Sequence, residues 1–125
     1  MTTKAKLIAT TIDCPNPGEL AEFYHQITGL PIQVTHEDYA AVGDETATIY
    51  FARLDEHQAP AWPGPDKQFH LDFRVPDVDK AVKEYEALGA TRPDFQPGLE
   101  IEGGGWVVMR DPAGHLFCVC PERSA

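Results

Sequence analysis

From Lys6 onward, apolar and polar residues alternate loosely through KLIATTIDC, the period of a half-buried strand. The next stretch, PNPGELAEFYHQITGL, changes period, because Leu20, Phe23, Tyr24 and Ile27 recur at helical spacing. Asn16 is placed to cap this helix, Pro17 suits its first position and Gly29 its end. Three short strands are expected next, at Ile32–His36, Tyr39–Val42 and Ala47–Leu54, with Gly43 and Asp44 turning the chain between the last two. HQAPAWPGPDKQ, with three prolines, is too stiff and polar for either element. After it the pattern restarts. QFHLDFRV reads as a strand and PDVDKAVKEYEALGA as a capped helix, and strands are expected at Thr91–Phe95, Trp106–Arg110 and Leu116–Cys120.

The two halves superimpose at an offset of 61 residues, which lays Cys14-Pro15-Asn16 on Val75-Pro76-Asp77 and Tyr24 on Tyr85. Few residues are identical, yet the order strand–helix–three strands repeats. A duplicated supersecondary unit is the economical reading.

Composition narrows the partners. The chain has 125 residues, enough for one domain, expected as module 1 over about residues 5–56 and module 2 over about 67–122. A formal net charge of −10 argues against nucleic acid and against anionic membrane surfaces, and leans toward neutral or cationic ligands. No apolar run approaches the ~20 residues of a membrane span, and MTTKAKLIATTIDC lacks the apolar core of a signal peptide. Cys14, Cys118 and Cys120 form no disulfide framework, so a reducing, cytoplasmic setting is expected.

IDCPNPGELAEFYHQITGL, FHLDFRVPDVDKAVKEYEALGA and DPAGHLFCVC, in this order and spanning almost the whole chain, resemble the vicinal oxygen chelate superfamily. That superfamily includes glyoxalase I, extradiol dioxygenases and bleomycin-resistance proteins, and the match is to its glyoxalase-like subgroup. The resemblance implies an α+β fold of two tandem βαβββ modules, forming a curled mixed sheet around a cavity with the helices outside. It also implies a homodimer. Metal-dependent members take ligands, mostly His and Glu, from the first and fourth strand of each module and hold a divalent ion with open positions for substrate oxygens.

Carried onto this chain, the four ligand positions fall on Ala9, a residue near Ala52, His70 and Cys118. Only His70 is an orthodox ligand, with Cys118 where the family has glutamate. Two ligands leave an ion mostly hydrated, so no tightly held divalent metal is expected. Cys118 and Cys120 share a strand face and could offer a soft, zinc-like set with His70, but small buried thiols more simply fill a core. Alternation sets His70, Asp72 and Arg74 on one face, with Asp13 facing Arg74 by pseudosymmetry, as a buried polar floor. Tyr50 shares the face of the fourth strand that carries the ligand position. Trp62 and Trp106 sit in loops where they can stack on a flat or cationic ligand.

These residues favour a protein that binds a small organic ligand without a tightly bound metal. The competing reading is a lyase, isomerase or dioxygenase-like enzyme using His70 with Asp72 or a residual metal, and a third is a dimeric interaction module. His70 is the best catalytic candidate, since its pKa suits a general base as well as an anchor for a polar group.

Overall fold

Both helices start where the sequence places their caps. Asn16 Oδ1 accepts the N–H of Glu19 at 3.3 Å, and Pro17 opens α1 (Pro17–Thr28). Asp77 Oδ1 accepts the N–H of Lys80 at 3.1 Å ahead of α2 (Val78–Ala87). Gly29 ends α1 in the left-handed region, φ 76°, where a side chain would be strained, and donates its N–H to the His25 carbonyl. Replacing either cap residue with alanine is expected to cost about 1 kcal/mol. The check is a lower urea midpoint at unchanged slope; an unmoved midpoint would show that the caps contribute nothing.

In a computed structural model of the protein, which describes residues 2–64 and 69–122, the chain divides into two compact units, Met1–His57 and Gln58–Ala125. The class is α+β. The first unit holds β1 (Thr10–Cys14), β2 (Ile32–Thr35), β3 (Tyr39–Gly43) and β4 (Thr48–Arg53) in the order β1-β4-β3-β2. The second holds β5 (Leu71–Val75), β6 (Val107–Arg110) and β7 (Leu116–Pro121) in the order β5-β7-β6. In each unit the first strand runs parallel to the last, and the other pairings are antiparallel.

The duplication is visible in the register. β1 and β5 begin 61 residues apart, as do α1 and α2. Thr10 pairs with Ile49, and Leu71 with Phe117, so the closing strands stand 68 residues apart in the same register. The second module therefore carries seven extra residues between its helix and its last strand.

Each sheet buries one face under its own helix. In the first unit Tyr24 stacks on Phe51 at 5.6 Å, with Phe23 edge-on to Tyr24. In the second, Phe117 is fully buried between Phe73 and Tyr85. Ahead of β7, the DPAGH turn is held by Asp111 Oδ1, which accepts the N–H groups of Ala113 and His115.

Three expectations need correction. The first strand begins at Thr10, not Lys6, because its partner β4 starts only at Thr48; Leu7 and Ile8 are 89% and 78% exposed, and Ala9 lies ahead of the strand. Likewise β5 begins at Leu71, leaving Phe69 and His70 just before it. Thr91–Phe95 forms no strand and keeps only one bridge, Thr91 to Arg110. Pro93 has no N–H to give a ladder there. Gln96 replaces that strand: its Oε1 accepts from Val108 N–H at 2.7 Å, and its Nε2 donates to the carbonyls of Val108 (2.9 Å) and Pro93 (2.8 Å). Residues 65–68, including the end of the proline-rich linker and Gln68 of the expected fifth strand, lie outside the described residues.

Candidate functional site

Alternation along β7 separates the two faces of the second sheet. Phe117 and Val119 face α2, while Leu116, Cys118 and Cys120 face away from it. On that helix-free face Leu116, Cys118 and Val108 form a buried cluster, with Trp62, Trp106 and Cys120 packed against it. The β5–β7 register brings Asp72 beside Cys118 and Arg74 beside Cys120. One surface thus carries an apolar wall next to a polar strip.

At the head of the strip, His70 Nε2 lies 3.1 Å from Asp72 Oδ1. Donor atoms of His70, Asp72 and Cys118 all fall within 4.8 Å of one another. The sequence suggested two ligands here, and the fold adds Asp72 as a third. Three protein ligands and an open position are what a catalytic zinc site requires, so this donor set fits the divalent ion that the resemblance implies. The thiol and imidazole favour a borderline or soft cation over magnesium or calcium.

Cys120 differs from its neighbour. Burial raises its thiol pKa, and the Asp72 carboxylate raises it further, against a smaller opposing pull from Arg74. It stays protonated at neutral pH and is a poor nucleophile.

The expected buried polar floor is not there. Asp13, Asp72 and Arg74 are all exposed, since only one face of each sheet is covered by its helix. In the first unit Tyr50 and Asp13 lie on the helix-free face of their sheet, with Asp13 paired to Ala52. Asp72 pairs with Cys118 as Thr11 pairs with Tyr50, so Tyr50, rather than Ala52, is the register equivalent of Cys118.

Both tryptophans are fixed. Trp62 Nε1 donates to the Phe95 carbonyl at 3.1 Å, and its ring lies 5.7 Å from that of Phe95. Trp106 lies so close over Gly98 that a β-carbon there would overlap its indole. The Gly103–Gly105 run forms a tight turn, Gly104 N–H reaching Ile101 O and Gly105 N–H reaching Gly98 O. With Trp106, Cys120, Pro121 and Glu122 it lines an open pocket of about 760 Å³. Glu122 and Gln96 were missed in the sequence. Glu122 lies beyond the last apolar residue of its strand, and only the prolines flanking Gln96 hinted that the backbone there needed a substitute.

The glyoxalase-like domain family matches residues 9–120. No curated protein matches the sequence. A glyoxalase/bleomycin resistance protein/dioxygenase family enzyme from Burkholderia phytofirmans PsJN superimposes with a TM-score of 0.72 at 20% identity, covering 94% of this chain and 98% of its own. The fosfomycin resistance protein FosX of Listeria monocytogenes gives 0.71 at 17% identity, covering 97% and 96%. The bleomycin-binding protein of Streptomyces verticillus, solved with copper(II)-bleomycin, gives 0.59 at 15% identity, covering 98% and 100%. At these identities the structural matches speak for the fold, and the family match covers nearly all of the chain. The protein belongs to the glyoxalase-like domain family, within the vicinal oxygen chelate superfamily.

Proposed function

We propose that the protein binds a small organic ligand, neutral or cationic and partly planar, on the helix-free face of its second sheet. The observation that carries this reading is the juxtaposition of the Trp106 pocket with the His70–Asp72–Arg74 strip, joined through Cys118 and Cys120. Trp106 offers a ring face, while Asp72 and Glu122 offer negative charge. A chain of net charge −10 adds a field that repels anions. Bleomycin-binding and fosfomycin-resistance proteins share the fold, which supports small-molecule recognition as its use here.

The test is a thermal-shift screen across antibiotics and metabolites, followed by titration of the best hit. At 100 times its dissociation constant a ligand adds roughly 2.7 kcal/mol, well within detection. Cationic or neutral compounds should raise the melting temperature, and Trp106→Ala should weaken the best of them about tenfold. A glutathione thioester as the strongest hit would reject this ligand class and favour glyoxalase-like catalysis.

The His70–Asp72 contact favours a second reading, a lyase or isomerase in which Asp72 orients His70 as a general base. Under it, turnover with the same ligand would vanish in His70→Ala. We place the protein in the cytoplasm, where three thiols stay reduced. We also take it to be a homodimer, a state that would cover the exposed Leu7 and Ile8.

A further inference from the structure

We propose that the arm ahead of β1, residues 2–9, docks on a second copy of this chain, against the Leu-Glu-Ile-Glu segment at 99–102. The inference rests on the homodimer reading above and names the two surfaces that form the contact.

The arm carries side chains that its own chain leaves uncovered. It joins no strand or helix, and residues 2–8 are all exposed. Leu7 and Ile8 are 89% and 78% open to water, an aliphatic pair that gains from burial. Lys4 and Lys6 precede them, and residues 2–9 contain no acid. The arm thus holds two of the ten basic residues, leaving eight basic against 20 acidic in the rest of the chain. A cationic, aliphatic arm is attached to an acidic body, so the body of another copy attracts it.

The 99–102 segment has the complementary make-up. Leu99 and Ile101 are each 53% exposed, and Glu100 and Glu102 are exposed beside them. Among the described residues neither glutamate has an ion pair, and neither has Lys4 or Lys6. In the first unit, by contrast, Arg53 already holds Glu37 at 3.5 Å and Asp55 at 2.9 Å. The segment is also held in shape. Glu100 N–H reaches the Pro97 carbonyl, Gly104 N–H that of Ile101 and Gly105 N–H that of Gly98. Docking therefore orders the arm alone, which limits its entropic cost. Exchange of two arms across a twofold axis makes the contact twice and closes the assembly as a dimer.

The test is sedimentation velocity of the tag-free, full-length protein over a dilution series. Wild type should dimerise, less tightly as salt is raised. Leu7→Ser combined with Ile8→Ser should raise the dissociation constant about tenfold or more. Lys4→Glu with Lys6→Glu should weaken the dimer, and so should Glu100→Lys with Glu102→Lys. A chain carrying all four charge reversals should return to within about threefold of wild type, because the pairing is restored with its signs exchanged. All six side chains are exposed, so circular dichroism of each variant should match wild type and separate a lost contact from a lost fold. A dimer unaffected by the arm substitutions overturns the proposal and leaves the homodimer reading standing. A monomer at every concentration overturns both. Failure of the four reversals to restore a dimer that each pair weakens overturns the match of arm to segment.

Discussion

A Gln96→Leu variant is expected to unfold at a much lower denaturant concentration, losing about 2–6 kcal/mol. Gln96 is a buried polar residue whose side-chain amide pairs with both backbone groups of Val108. Leucine keeps nearly the same volume and removes both hydrogen bonds. The Val108 N–H and carbonyl are left buried without those partners, at about 1–3 kcal/mol for each group. Gln96→Glu separates the two bonds. A carboxylate can still accept from Val108 N–H, but it faces two carbonyl oxygens where the amide donated. Desolvation and those carbonyls raise the folded-state pKa of the introduced acid above its unfolded value. The folded state then binds more protons, so this variant should gain stability relative to wild type as pH falls, and lose it as pH rises through the folded-state pKa. Equal stability of the leucine variant and wild type would mean that the amide does not stand in for a strand.

Phe117→Ala should lose about 3–5 kcal/mol, the range for truncating a fully buried phenylalanine. The ring sits at 0% exposure, 5.9 Å from the Phe73 ring and 6.5 Å from Tyr85, where β5, α2 and β7 meet. Its removal takes away apolar burial and leaves a cavity that rigid strands cannot collapse to fill. Phe69→Ala is the control. That ring is 95% exposed, and its loss should change stability by no more than about 0.5 kcal/mol. Urea unfolding of the pair tests the assignment of strand faces, since a reversal of the two effects would mean that Phe117 does not face the helix.

Much of this architecture follows from short-range rules that act without the rest of the fold. Asn16 and Asp77 cap helices because a side-chain oxygen reaches an N–H three residues on, and Gly29 ends a helix because it alone tolerates the left-handed turn at no steric cost. Alternation by itself puts Cys118 and Cys120 together, away from Phe117, whichever strand pairs with them. The repeated order of elements was legible for the same reason, as each module repeats the same local signals.

Strand ends and the composition of the site depended on partners distant in sequence. Apolar residues at Leu7 and Ile8 look like strand in isolation, but a strand stops where its neighbour does, and β4 begins at Thr48. Thr91–Phe95 has strand-like composition, yet Pro93 removes a ladder donor and the Gln96 side chain takes the edge of β6 instead. The candidate site shows the same division. The sequence alone determined that Asp72 and Arg74 share one face, and its resemblance to the superfamily implies a ligand position at Cys118. Only the tertiary structure decided that Asp72 sits opposite Cys118, because the register between β5 and β7 is set by packing across the whole sheet and not by either strand.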